Sequence, residues 1–169
     1  MNIAITGHTK GIGKSLYDAL AVSHNVKGYS KSKGYDITKK TDRYRIIKEV
    51  DDCDVFINNA YDDFAQSSML YELWCDWHSK EKTIITIGSD VTKYNLPLNM
   101  QNLLEYQMHK KSLEILHKDL QNLNTSVKLD YISFNYVGTE QILAKQPPIP
   151  KKLIMPVNDA VKIILERIK

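Results

Sequence analysis

A short apolar run, Asn2-Ile3-Ala4-Ile5, leads into Thr6-Gly7-His8-Thr9-Lys10-Gly11-Ile12-Gly13, and a helical pattern opens near Ile12. A strand that passes through a glycine-rich turn into a helix restricts the fold more than any other feature of this chain. Glycine permits positive φ and lets a ligand approach the backbone closely. The start of a helix offers unpaired N–H groups and a partial positive charge, so a pyrophosphate can sit there. Glycines gathered in a loop can also serve turn geometry alone. Their place here, at the first strand-to-helix turn of the chain, is where nucleotide-binding α/β folds put their phosphate site, and this favours a dinucleotide. The spacing is Thr-Gly-x-x-x-Gly-x-Gly, not Gly-x-Gly-x-x-Gly.

The rest of the chain repeats the alternation. Candidate strands are Asn2–Thr6, Asn25–Tyr29, a short piece at Tyr35–Ile37, Asp54–Asn58, Thr83–Gly88 and Lys128–Phe134. Their Val/Ile-rich cores mostly do not alternate with polar residues, as expected for strands covered on both faces. Helical patterns lie between and after them, at about Ile12–Ser23, Thr41–Val50, Ser67–Ser79, Asn99–Leu123 and Asn158–Ile168. Strand and helix in alternation imply an α/β fold, a single Rossmann-type doubly wound parallel sheet of about six strands with right-handed crossovers. Residues 1–169 read as one domain. Ser30–Gly34 is too short to hold a helix, and the chain ends on a helix, so the sheet is expected to be shortened at the C-terminus. The run Gln146-Pro147-Pro148-Ile149-Pro150 is a clear loop breaker before the last helix.

Composition narrows the function classes. At 169 residues and 43% hydrophobic, the chain can bury a full core without staples. No apolar stretch is long enough to span a bilayer. Met1 leads straight into a strand, with no export signal. A net charge of +3 on scattered lysines does not argue for nucleic acid. Cys53 and Cys75, the two cysteines, fit free thiols in a reducing, cytoplasmic setting. Cys75 and His78 share a helix at metal-compatible spacing, but no second pair accompanies them, so no metal site is expected.

Four further segments carry chemistry. Asp54-Val55-Phe56-Ile57 runs into Asn58-Asn59-Ala60, amides that can cap a strand end. Ile84-Ile85-Thr86-Ile87-Gly88 ends on Ser89, which puts a hydroxyl at the edge of a parallel sheet where ligands bind. Tyr106 and Lys110, four apart on a helix, share a face, and an ammonium beside a phenol favours the phenolate. The Tyr-x-x-x-Lys spacing also occurs at Tyr29/Lys33, Tyr35/Lys39 and Tyr44/Lys48, but only Tyr106/Lys110 lies on the helix after the strand-end serine. Last comes Phe134-Asn135-Tyr136-Val137-Gly138-Thr139.

Taken in order over nearly the whole chain, these segments resemble the short-chain dehydrogenase/reductase family. The resemblance implies that Gly7, Thr9, Lys10, Gly11, Ile12 and Gly13 hold the cofactor pyrophosphate and its surroundings. It implies that Asn58, Asn59 and Ala60 line the cofactor, that Asp36 with Ile37 meets the adenine, and that Val137 and Thr139 meet the nicotinamide end. It implies hydride transfer to a small carbonyl compound, or from an alcohol. In that chemistry Tyr106 is the proton donor, Ser89 holds the oxygen, and Lys110 lowers the phenol pKa and binds the nicotinamide ribose. Tyr61 stands where the family has glycine, Phe134-Asn135 replaces Pro-Gly, and the family's asparagine on the fourth helix has no counterpart, with Gln66 the nearest substitute.

The end of the second strand reads Tyr29-Ser30-Lys31-Ser32-Lys33, without the acid that selects NAD. With Lys10, the cations Lys31 and Lys33 suit the 2′-phosphate, so NADP(H) is favoured over NAD(H), with Ser30 and Lys31 at that site. His8 and His109 read as surface residues. Met69, Leu70, Leu73, Trp74 and Trp77 form an apolar helix face, part core and part subunit contact, and the resemblance implies a homodimer or higher oligomer. Two alternatives stay open: an extended-type sugar-nucleotide reductase or epimerase, and a catalytically impaired NADP-binding regulatory module.

Overall fold

The computed structural model describes residues 1–145 and 149–168; of the loop breaker read at 146–150, Gln146, Pro147 and Pro148 lie outside the described residues. Five strands form one parallel sheet in the order β2-β1-β3-β4-β5, namely β1 (Asn2–Thr6), β2 (Asn25–Tyr29), β3 (Val55–Asn58), β4 (Thr83–Ser89) and β5 (Lys128–Phe134). Between them run α1 (Gly11–Leu20), α2 (Lys40–Glu49), α3 (Ala65–Trp77) and α4 (Gln101–Gln121). After β5 come the short parallel pair β6 (Tyr136–Val137) and β7 (Ile154–Met155), with α5 (Glu140–Leu143) between them, and then α6 (Val157–Leu165).

The strand residues divide by parity, as a pleated sheet requires. Ile3, Ile5, Val55, Ile57, Ile85, Ile87, Ile132 and Phe134 face one way, into a core closed by Leu16 and Leu20 of α1 and Ala160, Val161 and Ile164 of α6. Ala4, Phe56, Ile84 and Leu129 face the other, into a core shared with α2, α3 and α4. Trp77, Met69, Leu70 and Leu73 are fully buried there, so they belong to the core, with Trp74 partly buried at its edge. Trp77 meets the Phe56 ring edge-on at 6.3 Å.

The doubly wound parallel sheet stands, with five strands instead of about six. Tyr35–Ile37 does not pair with the sheet. Its backbone groups are taken by turn hydrogen bonds and by side chains, which removes the need for a ladder. The Asp36 N–H donates to Asp42, and the Asp36 carboxylate accepts from both the N–H and the hydroxyl of Thr38. Arg43, itself paired to Glu72 through two hydrogen bonds, donates to the carbonyls of Ile37 and Thr38. With that strand absent, β2 connects through α2 directly to β3 on the far side of β1.

The glycine turn is built by exclusion. Gly7 and Gly11 have φ of 74° and 55°, which side-chain-bearing residues rarely adopt. A Cβ on Gly13 would lie 2.2 Å from the Gly7 carbonyl oxygen and 2.6 Å from Asn59 Nδ2. Gly13→Ala is therefore expected to cost about 1–3 kcal/mol, as forced overpacking does. The denaturation midpoint reads this out, and an unchanged midpoint would show that the turn can yield.

Candidate active site

The C-terminal ends of β1, β3 and β4 meet at one edge of the sheet, and the sequence-predicted residues gather there. Thr6 Oγ1 accepts from the N–H groups of Asn59 and Ala60, each at 3.0 Å, and Asn59 Nδ2 donates to the Thr6 carbonyl at 2.9 Å. These bonds tie the glycine turn to the end of β3. Lys10 caps α1 in an extended conformation, no side chain caps the first turn, and that turn carries no acid. The first N–H groups of α1 are thus left for an external acceptor, which is what a helix start that binds an anion requires. Across the turn, Thr139 lies against Gly11, whose Cβ, if present, would be 3.3 Å from the Thr139 methyl. Val137 is buried beside it in β6.

On the β2 side, the Ser32 hydroxyl lies 3.2 Å from that of Ser30 and 3.4 Å from that of Thr9. Lys31 does not stand free. Its ammonium is 3.2 Å from Asp36 and 3.6 Å from Asp62. The Thr38 hydroxyl, helped by Lys31, holds the Asp36 carboxyl below the usual carboxylate range. Ile37 is buried in the core. His8 is half-buried, not a surface residue: its ring fills the space that Gly28 leaves open and packs 5.0 Å from the ring of Tyr17. Asn58 is fully buried, and its Nδ2 donates to the Gln66 carbonyl, away from the edge.

The chemical centre joins β4, α3 and α4. Ser89 ends β4 and is buried, and its Oγ accepts from the Val91 N–H at 3.3 Å. Tyr106 and Lys110 project from α4 on one face, and the Lys110 ammonium lies 5.8 Å over the Tyr106 ring centroid. Burial raises the Tyr106 phenol above its ordinary pKa, and the Ser89 hydroxyl pulls weakly the other way. Burial thus outweighs the lowering expected from Lys110. The ammonium sits over the ring rather than at the hydroxyl, and desolvation decides.

Lys110 is only 4% exposed. Its Nζ donates to Gln66 Oε1 at 2.7 Å and to the Ile87 carbonyl at 3.3 Å. Gln66 in turn donates from Nε2 to the carbonyls of Asn58 at 2.8 Å and Ile87 at 2.9 Å, so its carboxamide is fixed in one orientation. This is where the structure places Gln66: directly on the lysine. Burial pulls the Lys110 pKa down to about 7, against two acceptors that favour the charged form.

Two residues have no role in the sequence analysis and a third has a different one. Tyr131 of β5 leans toward β4, where its hydroxyl would be 2.1 Å from a Cβ on Gly88. Glycine inside a buried strand is the signal for such a close approach. Gln107, between Tyr106 and Lys110, donates to the carbonyls of Val91 and Tyr94 and anchors the segment after Ser89. His109, read as a surface residue, is buried and hydrogen-bonded to Tyr61 at 3.0 Å. Both follow from the turn of the helix that carries the chemistry, which no spacing rule had assigned.

No protein-family model and no curated protein sequence matches this chain. Solved structures do. A short-chain dehydrogenase from Burkholderia cenocepacia J2315, in complex with NADP, superposes with a TM-score of 0.80 at 20% identity, over 99% of this chain and 83% of that one. The 3-alpha-hydroxysteroid dehydrogenase from Pseudomonas sp. B-0831, complexed with NADH, gives 0.78 at 17% identity, over 98% and 88%. A small-chain dehydrogenase in complex with NADPH gives 0.73 at 15% identity, over 100% and 91%. The fold is that of the short-chain dehydrogenases. Among the described residues, no helix is long and apolar enough to cross a membrane.

The Lys110 burial has a measurable consequence. Below about pH 7 both folded and unfolded chains carry its proton, and the desolvation penalty is felt in full. Above that, the folded chain releases the proton while the unfolded chain keeps it up to its ordinary pKa of 10.5. The contribution of this position to stability thus rises with pH. The unfolding free energy of the native chain minus that of Lys110→Met is expected to be larger near pH 9 than near pH 7. A difference that is flat or falls with pH would contradict the burial.

Proposed function

We propose that the chain is an NAD(P)-dependent oxidoreductase that reduces a small carbonyl compound with NADPH, or oxidises the corresponding alcohol. The observation that carries this reading is the meeting of Ser89, Tyr106 and Lys110 at the sheet edge that also bears the uncapped start of α1. The dehydrogenases of similar fold described above are bound to NADH, NADP or NADPH.

The residues present fit such a cofactor. Gly7, Gly11, Ile12 and Gly13 offer backbone to the pyrophosphate, and a Cβ at Gly13 would close the turn. Thr9, Lys10, Ser30 and Lys31 would hold its adenosine part, with Asp36 and Ile37 nearby, Asn58, Asn59 and Ala60 would line it at the end of β3, and Val137 and Thr139 would meet its nicotinamide part. When bound, such a cofactor would supply the hydride to the carbonyl carbon, or take it in the reverse direction. Tyr106, kept protonated by burial, gives its phenolic proton to the substrate oxygen as that carbon is reduced, and takes it back in the reverse direction. Ser89 donates its hydroxyl hydrogen to the same oxygen and holds it beside the phenol. Lys110, in its charged form, steadies the phenolate left behind through the low-dielectric gap over the ring.

Preference for NADP rests on the cations at the end of β2 and in the turn. The Lys31 pairs with Asp36 and Asp62 are exposed on the lysine side, and such pairs are weak enough for a phosphate to compete. Pairing of two copies through α3 and α4 covers the exposed Tyr71, Met108 and Ile115. A second reading, an NADP-binding regulatory module, draws on the near-complete burial of Lys110, which leaves no open ammonium in the crevice.

Titration with NADPH and NADH, followed by turnover on a carbonyl panel, tests the reading. NADPH is expected to bind more tightly, and Lys10→Ala to narrow the difference. Tyr106→Phe is expected to cost about 10²- to 10⁴-fold in turnover, the usual worth of a positioned proton donor, with dinucleotide affinity kept. Turnover that survives Tyr106→Phe would overturn the catalytic assignment. Dinucleotide binding without turnover on any carbonyl would favour the regulatory module.

A further inference from the structure

Tyr61 follows Asn59 and Ala60 at the end of β3, and Ala60 lies against the glycine turn, its Cα 3.1 Å from where a Cβ on Gly7 would be. A molecule that reaches from the start of α1 to Tyr106 has to pass over this point, because β3 lies between β1 and β4 in the sheet. The Tyr61 side chain does not turn out to solvent there. Its ring packs edge-on against the Tyr106 ring, with centroids 4.9 Å apart and planes at 86°. The Lys110 ammonium lies 5.1 Å from the centroid of the same ring. With two of its protons on Gln66 and Ile87, Lys110 presents its remaining side to the two phenol rings.

The ring is held from behind. The Tyr61 hydroxyl is 3.0 Å from His109 Nδ1, and His109 is itself buried under the Phe64 ring at 4.3 Å. The loop that arranges this contains Asp63 at φ 47°, a left-handed conformation that aspartate tolerates better than most residues. Tyr61 nevertheless remains 41% exposed. The ring is thus tethered at its hydroxyl and still partly open to solvent.

We propose that Tyr61 is a screen over Lys110 that a nicotinamide ribose must displace, so that the Tyr61–His109 hydrogen bond limits the dinucleotide affinity of this chain. The inference rests on the oxidoreductase reading for the identity of the ligand, and on the geometry alone for the screen. Displacing the ring breaks one hydrogen bond and one aromatic contact, and opens the ammonium to hydroxyl acceptors. Tyr61 then determines cofactor affinity without taking part in the proton transfer.

Two readouts separate the parts. In the chain without cofactor, reductive methylation mapped by mass spectrometry is expected to leave Lys110 unmodified, and to modify it in Tyr61→Ala. In calorimetric titration with NADPH, Tyr61→Phe, which keeps the ring and loses the tether, is expected to bind about 2- to 10-fold more tightly, the range a single hydrogen bond accounts for. Tyr61→Ala is expected to gain at least as much. Lys110 still protected in Tyr61→Ala would overturn the screen, as would unchanged or weaker NADPH binding in both variants. Lys110 exposed in Tyr61→Ala, with NADPH bound by neither chain, would overturn the oxidoreductase reading and the role of the screen in binding, while leaving the burial of the ammonium explained.

Discussion

The clamp between Thr6 and the Asn59-Ala60 peptides is the interaction on which the site depends. One buried hydroxyl accepts two backbone N–H groups, and the Asn59 carboxamide returns a bond to the Thr6 carbonyl. The clamp joins the ends of two strands that are neighbours in the sheet but lie far apart in sequence. It fixes the glycine turn against β3, and through Ala60 and Tyr61 against the phenol and ammonium of α4. Without it, the start of α1 and Tyr106 would be two separate features of a common fold. With it, they stand at one edge of the sheet.

The second constraint is electrostatic. Lys110 is buried with amide and carbonyl acceptors and no carboxylate. A carboxylate would hold the ammonium charged at every ordinary pH. A carboxamide holds its position and leaves the charge to burial, which brings the pKa to about 7. The neighbouring phenol is pushed up by the same burial. Burial thus keeps the phenol protonated, as the proposed proton donor has to be.

The fold was legible because its signals are local and redundant. Each apolar run from Asn2 to Phe134 that the sequence shows became a strand of the main sheet, except Tyr35–Ile37. That exception was decided by Arg43 and Asp42, whose side chains take backbone groups a strand would have paired. The candidate site was legible where it follows backbone, as at Gly7, Gly11 and Gly13. It was less so where side chains meet from distant elements. Nothing in the spacing of Tyr61 and His109 says that they touch, and Tyr131 announces itself only through the missing side chain of Gly88. The lowered phenol failed for a reason outside the four-residue spacing. Helical spacing places a lysine beside a tyrosine, but the packing of α3 on α4 decides which atoms come close.

The central claim is that the uncapped start of α1 and the phenol of Tyr106 serve two ends of one molecule. Nuclear Overhauser contacts between the nicotinamide protons of bound NADPH and the ring protons of Tyr106, assigned by their move to phenylalanine resonances in Tyr106→Phe, test this most directly. The account predicts contacts to Tyr106 together with shifted amide resonances at Gly11, Ile12 and Gly13. Shifts at the glycine turn with no nicotinamide contact to Tyr106 would contradict it.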